Sequence, residues 1–194
     1  MGYKHCKSTI LDQGTELLRQ KGYHNVGIQE ILQVCGIPKG SFYNFFKSKE
    51  DFVAQCLRHY GAESTKLLEA YLRNGTHPPL DRLRRFYRTM ADRFSREGCT
   101  AGCLLANLSM EVGGTNLYLA AVADEILQQH NTLITACIQE AQQMGSMTNT
   151  FPATHLAEYL QAGMAGAMSR MKVQHNRRFL DQWYTMTFTL LKAN

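Results

Sequence analysis

The sequence predicts an all-α protein, and three observations carry that reading. Apolar residues recur at helical spacing along almost the whole 194-residue chain, the pattern of amphipathic helices with one buried face. No segment sustains the apolar–polar alternation, rich in β-branched residues, of a half-buried strand. Gly, Pro and Asn punctuate the periodic segments where helices must stop. About nine helices are expected, divided into a three-helix head over 1–48 and a helical body over 49–194.

The first helix is expected from about Lys4 to Lys21, with Ile10, Gly14, Leu17 or Leu18 and Lys21 on one stripe and Gly22 as its C-terminal cap. "IQEILQVC" (28–35), closed by Gly36, and "KGSFYNFF" (39–46), entered at Pro38, are two short helices. Helices of that length are marginal in isolation, so they must pack on each other and on their neighbours. A long helix follows from Lys49 to about Arg73, with Val53, Cys56 or Leu57, Tyr60, Leu67 or Leu68 and Tyr71 on its stripe, until "NGTHPP" (74–79) breaks the chain. Helices are then expected over 80–97, 103–112 and about 116–144. After the break "GSMTNTFP", two final helices cover about 153–174 and 178–192.

With 44% hydrophobic and 19% charged residues, the chain can bury a sizeable core, and disorder is not its default. The net charge of +5 is mild, but residues 1–50 hold seven Lys/Arg against four Asp/Glu, so positive charge gathers in the head. "STILDQGTELLRQ" interrupts any apolar run after Lys7, so no signal peptide is expected. The longest nearly apolar stretch, "YLQAGMAGAM", is about half of the ~20 residues a membrane span needs. A cytoplasmic protein is therefore expected, without a membrane partner, and its six cysteines (6, 35, 56, 99, 103 and 137) read as reduced thiols. No cofactor or metal is expected: Cys99 and Cys103 lack a His or Cys partner at zinc spacing.

The helices at 28–35 and 39–46, joined by "GIP", have the spacing of a helix-turn-helix whose second helix enters the major groove. Phe42 with Phe45 or Phe46 can face the core, leaving Lys39, Ser41, Tyr43 and Asn44 on the other side. Lysines near both ends of this helix would then meet phosphates, while Ser41, Tyr43 and Asn44 reach backbone or base edges. Spacing alone also allows a merely solvated charged face.

The run "GYHNVGIQEILQVCGIPKGSFYNFFKSKEDF" (22–52) resembles the DNA-binding head of the TetR repressor family. Lys39, Gly40, Ser41, Phe42, Tyr43, Phe46, Ser48, Lys49 and Glu50 fall in register with its pattern. The resemblance implies that Tyr43 and Lys49 hold operator phosphates and that Lys39, Ser41 and Asn44 position or read the site. Gln29 would cap or contact the backbone from the preceding helix, and Gly40 and Lys47 complete the expected DNA-binding set. Val26 and Gly27 stand where the family commonly has Thr or Ser, and Pro38 replaces a common Ser. The usual side-chain N-caps are thus missing at both helices, although Gly and Pro are compatible with helix starts.

In the body, "TAGCLLANLSMEVGG" (100–114) is similar to the helix start of the NemR/AcuR-like branch of that family, through Gly102, Cys103, Leu104, Asn107, Leu108, Ser109 and Glu111. That resemblance implies a sensor cysteine at Cys103. The predicted first turn of a helix would favour a thiolate there, able to add to an enone or aldehyde or to be oxidised to a sulfenic acid. Cys99 is a candidate resolving thiol. Close packing of a small buried residue is the other reading of Cys103. The family's body pocket points to Phe86, Tyr87, Met90, Phe94, Cys103, Asn107, Tyr118, Cys137, Tyr159 and Met164.

The last two helices carry stripes in which Leu156, Leu160, Gly163 and Ala167, and Leu180, Trp183 and Phe188, are the candidate dimer contacts. The family packs this pair against its copy as an isologous four-helix bundle. The expected function is a homodimeric repressor that binds a palindromic double-stranded operator and is released by a small-molecule inducer, with electrophiles among the candidates. Two rivals remain: an all-helical thiol enzyme using Cys103, for which no motif places an activating His, Asp or Glu, and a regulator whose body senses nothing.

Overall fold

The computed structural model describes residues 6–193. Among them are nine helices: α1 (Lys7–Lys21), α2 (Ile28–Val34), α3 (Lys39–Phe45), α4 (Lys49–Leu72), α5 (Pro79–Arg96), α6 (Leu104–Val112), α7 (Leu117–Gln143), α8 (Ala153–Gln174) and α9 (Arg178–Leu190). The expected helix order is observed, with ends displaced by one or two residues. Lys4, where the first helix is expected to begin, lies outside the described residues. Pairing of extended backbone among the described residues is limited to an isolated antiparallel bridge between Met147 and Lys192.

The chain divides into two compact units, residues 1–63 with 103–126, and residues 64–102 with 127–194. The first unit therefore gathers more than the predicted head: it takes in the start of α4, the whole of α6 and the start of α7. Its core forms where the short helices meet α1 and α4. Phe42, Phe46 and Phe52 are each at most 1% exposed, with ring centroids 5.0–5.7 Å apart. Aromatic rings bury large apolar areas and lock their mutual orientation, which a seven-residue helix cannot do through backbone hydrogen bonds alone.

Gly14 on α1 lets this cluster close: a Cβ there would lie 2.2 Å from Phe52 Cζ. Gly22 ends α1 at φ +78°, its N–H donating to the Leu18 carbonyl, a left-handed stop that glycine adopts without a Cβ penalty. As the sequence suggests, neither Gly27 nor Pro38 supplies a side-chain cap to the following helix. The α4 start is better provided: Ser48 Oγ accepts the Asp51 N–H at 3.0 Å, and Asp51 in turn accepts the Lys47 N–H at 2.8 Å. That reciprocal pair satisfies two amides at the helix entrance.

In the second unit α8 packs on α9, and α5 on α9. Tyr87, Trp183 and Phe188 form an aromatic knot, with Tyr87 centred 5.3 Å from Trp183 and 5.9 Å from Phe188. Arg82 is buried, and its guanidinium donates to the Leu72 carbonyl at 2.6 Å and to Glu140. A buried charge is tolerable only with such partners.

Two glycine substitutions test this packing in opposite directions. Gly14→Ala should lower stability by about 1–3 kcal/mol, because the Phe52 ring must shift within a filled cluster. Gly40→Ala, whose Cβ meets nothing within 4 Å, should stabilise the folded chain by about 0.5–1 kcal/mol through helix propensity. Chemical denaturation of both variants measures the two signs.

Candidate nucleic-acid interface and thiol site

The side chains of α3 divide as the spacing predicts. Phe42 and Phe46 go to the core and Phe45 is half-buried, while Lys39, Gly40, Tyr43 and Asn44 are exposed and Ser41 is partly so. Tyr43 is 47% exposed, yet its ring rests edge-on against Phe42 at 5.3 Å, so its hydroxyl is held out from a fixed base. Lys47 is exposed just beyond the helix, and Gln29 is exposed in the first turn of α2. This is a convex polar face on a rigid apolar footing, the form a groove-reading helix needs.

Lys49 differs from the other lysines. Its ammonium lies over the Tyr23 ring at 4.4 Å, a cation–π contact. Burial lowers its pKa from the ordinary lysine value, against the opposing pull of Glu111. Lys49 is thus a partly buried charge resting on Tyr23, whereas Lys39 and Lys47 are exposed. Burial also works against ionisation of Asp51, but hydrogen bonds from the Lys47 amide and Gln55 outweigh it and hold the carboxyl below its usual range.

Helix α6 connects the thiol to the head within the same unit. Cys103 is its N-cap residue, in extended conformation and with no side-chain cap hydrogen bond, one position before the predicted first turn. The Tyr60 hydroxyl donates to its sulfur at 3.5 Å. One turn on, Asn107 Nδ2 donates to the Arg19 carbonyl at 3.3 Å, in the last turn of α1. After another turn, the Glu111 carboxylate accepts the N–H groups of Tyr23 and His24 at 2.8 and 2.7 Å. Residues 103, 107 and 111 are spaced i, i+4, i+8 and share one face. Asn107, expected in a ligand pocket, ties α6 to the DNA-binding head through this bond. Glu111 was part of the sequence motif without a role; its spacing from Cys103 was the signal that could have assigned one.

Two further cysteines bear on the thiol reading. Cys99 is buried at φ +59° and belongs to the second unit, whereas Cys103 belongs to the first. Cys6, at the start of α1, is exposed, and a hydrogen bond with the Ser8 hydroxyl, then backbone hydrogen bonds of Ser8 and Thr9, lower its pKa. Sequence reasoning gave Cys6 no role. Among the described residues no group of three His, Cys, Asp or Glu side chains could hold a metal ion, and no helix is long and apolar enough to cross a membrane.

The expected pocket residues are divided between the two units. Phe86, Tyr87, Met90, Phe94, Cys137, Tyr159 and Met164 belong to the second unit, and Cys103, Asn107 and Tyr118 to the first. Phe94, Tyr87, Cys137 and Met164 are buried, Phe86 and Met90 are half-buried, and Tyr159 is 48% exposed on the outer side of α8. Tyr87 Oη, Trp183 Nε1 and Thr187 Oγ1 are buried without a hydrogen-bond partner among the described residues. Each such orphan costs on the order of 1–3 kcal/mol. Two cavities lie against α5, lined by Tyr71, His77 and Arg85 with Arg84 and Arg88 in one and Arg82 in the other.

The dimer candidates are also corrected. Leu156, Leu160, Ala167, Leu180 and Phe188 are all buried within the single chain, so these contacts are already made inside the protomer. Gly163 has a similar internal use: a Cβ there would lie 2.3 Å from Trp183 Nε1, so it admits the indole of its own chain. The heptad-like stripe chosen from the sequence is thus the inner one. The outer stripe carries Tyr159, Ala162, Gly166 and Val173 on α8, with Met186 and Leu190 on α9, all exposed.

Comparisons with known proteins agree with this architecture. Residues 10–56 match the model of bacterial regulatory proteins of the tetR family, and residues 79–187 match a tetracyclin repressor-like C-terminal domain. The chain is 31% identical to the HTH-type transcriptional repressor DhaR of Mycobacterium sp. (strain GP1), over 94% of this chain and 90% of that protein. It is 33% identical to the transcriptional regulator AcuR of Cereibacter sphaeroides, over 86% and 76%. To the HTH-type transcriptional repressor NemR of Escherichia coli (strain K12) it is 30% identical, over 86% and 84%. The crystal structure of reduced E. coli NemR superimposes with a TM-score of 0.88 at 26% identity, covering 96% of each chain. Two matched domain models, relatives matched over most of their length and a shared fold make the chain a member of the TetR family of bacterial regulators, with NemR and AcuR among its homologues.

Proposed function

We propose that the protein is a cytoplasmic homodimeric transcriptional repressor that binds a palindromic operator through α3 and releases it when a small electrophile modifies Cys103. The α6 stripe of Cys103, Asn107 and Glu111 is the observation that carries this reading. It joins the thiol to the head by hydrogen bonds within one unit.

On DNA, Tyr43 and Lys39 contact phosphates, Lys47 adds charge, and Ser41 and Asn44 approach backbone or base edges. Lys49 orients the helix from behind through Tyr23 and contributes field rather than reach. Two such heads, about one DNA turn (~34 Å) apart, would read the two halves of a palindrome. The outer stripe of α8 and α9 suits the self-complementary contact: Met186 and Leu190 are over 60% exposed, and Ala162 and Gly166 allow a second helix close approach.

The switching step is covalent. The Cys103 thiolate attacks the β-carbon of an enone, a C–S bond forms, and the resulting enolate takes a proton at its α-carbon. The adduct needs space at the α6 N-terminus, where Tyr60 now lies. Any shift of α6 along its axis lengthens the bonds of Asn107 and Glu111 to α1 and its following turn, which changes the presentation of α3.

Operator binding is tested by fluorescence anisotropy on DNA from upstream of the gene. Log affinity should fall linearly with log salt, with a slope near −0.9 per phosphate neutralised. Tyr43→Phe should weaken binding about tenfold by losing one charge-assisted hydrogen bond. Absence of any sequence-specific complex would sink the repressor reading.

Methyl vinyl ketone should release wild-type protein and Cys6→Ser from the operator but leave Cys103→Ser bound. Release lost in Cys6→Ser and retained in Cys103→Ser would move the sensor to α1. Glu111→Gln, which keeps one acceptor and removes the charge, should weaken operator binding several-fold before any electrophile is added.

Met186→Glu should shift the protein to monomer in sedimentation and reduce operator affinity, while circular dichroism keeps its helical signal. A dimer of unchanged stability would remove the outer stripe from the seam.

A further inference from the structure

The second unit contains a cleft that the switching mechanism does not use. It lies against the outer face of α5 and is walled by Tyr71, His77, Arg84, Arg85, Arg88 and Tyr184, with a volume of about 380 Å³. A smaller cavity of about 210 Å³ shares Tyr71, His77 and Arg85 with it, so Arg85 stands where the two join. The larger cavity falls within the size range of small-molecule pockets.

Its charge is unbalanced. Helix α5 carries six arginines in 18 residues, three of them in the larger cavity against a single carboxylate, Asp81. Arg84 divides its guanidinium between Asp81 at 3.5 Å and the Phe188 carbonyl at 3.2 Å. Arg88 reaches Asp181 only at 3.7 Å and Asp92 at 4.0 Å. Both of those carboxylates make their close contacts elsewhere, with Arg177 at 2.8–2.9 Å. Arg85 is exposed and has no ion partner among the described residues. The guanidiniums that face the cleft are thus left with donors to spare, and guanidinium is the group whose planar fork matches a carboxylate.

The walls suit the rest of such a ligand. Tyr184 presents a ring already carrying Arg88 on its face at 5.4 Å, and Tyr71 is held edge-on to Phe86 at 5.9 Å with its hydroxyl bonded to Thr89 at 2.9 Å. Burial raises the Tyr184 pKa against the pull of Arg88 and Arg84, so the phenol remains a neutral donor.

We propose that this cleft is a binding site for a small organic carboxylate, its carboxyl group held by Arg85 with Arg84 and Arg88 and its planar body lying between Tyr71 and Tyr184. The site is built wholly from the second unit and Cys103 belongs to the first, so the proposal stands apart from the thiol switch and its test needs neither DNA nor an electrophile.

Isothermal titration of the full chain at low salt, with benzoate as probe and inorganic phosphate as comparator, decides it. Benzoate should bind saturably, weaken with added salt, and bind equally well to Cys103→Ser. Arg85→Ala should reduce affinity about tenfold or more, as expected for loss of one charge-assisted contact. That variant removes no ion pair of the fold. Arg93→Ala, on the same helix but paired with Glu97 at 3.0 Å and outside the cleft, should bind as wild type. No saturable benzoate binding, equal affinity in Arg85→Ala, or binding of phosphate but not benzoate would each overturn the proposal.

Discussion

The head depends on one steric constraint: two seven-residue helices must be held by something other than themselves. The Phe42, Phe46 and Phe52 rings meet that need, and they can close only because Gly14 leaves room for Phe52 on α1. Once Phe42 and Phe46 are committed inward, helical geometry leaves Lys39, Tyr43 and Asn44 no direction but outward. The polar face of α3 is therefore a consequence of the aromatic core beneath it. A helix fixed in this way can present donors to phosphate without losing much conformational entropy on binding.

The same unit shows how a distant thiol can matter to that face. Three bonds from α6 to the head fall on backbone groups at the end of α1 and in its following turn: the Arg19 carbonyl and the amides of Tyr23 and His24. Such orphan groups at a helix end must find partners. Supplying them from α6 makes the geometry of the α1 to α2 turn conditional on where α6 lies. Gly22 sharpens this condition, because a side chain there would meet the Glu111 carboxylate at 2.5 Å.

Helix order, the helix-turn-helix and the inward phenylalanines were legible because each rests on local periodicity and turn chemistry. What was not legible required knowing which face meets which neighbour. Leu156, Leu160 and Phe188 have the spacing of a dimer seam, yet a stripe that packs within a protomer and one that packs between protomers look alike in sequence. The outer one, with Ala162, Gly166, Met186 and Leu190, is exposed in the single chain, and a stripe that is to meet a copy must stay tolerable in water until it does. A related limit applies to Asn107 and Lys49: Asn107 satisfies a neighbouring backbone carbonyl and Lys49 stacks on a nearby ring, and neither contact can be read from spacing.

The position of Cys103 carries an argument of its own. An N-cap residue in extended conformation favours Ser, Thr, Asp or Asn, whose oxygen would accept an amide of the first turn, and replacing such a cap typically costs about 1 kcal/mol. Cys103 makes no cap hydrogen bond, and its sulfur receives a donor from Tyr60. A residue there for packing alone would be expected to bury its side chain, but Cys103 stays partly exposed while Leu104 and Leu105 beside it are buried. The helix thus forgoes a local stabilisation that a single-atom exchange to serine would restore. The proposed reaction at the sulfur would account for the missing cap, which core packing would not. It also means that Cys103→Ser is not a silent replacement, because the new hydroxyl can cap α6 and tighten it, whereas Cys103→Ala removes the thiol without adding a cap. Loss of the response in both variants would therefore trace to the missing sulfur rather than to a stiffened helix.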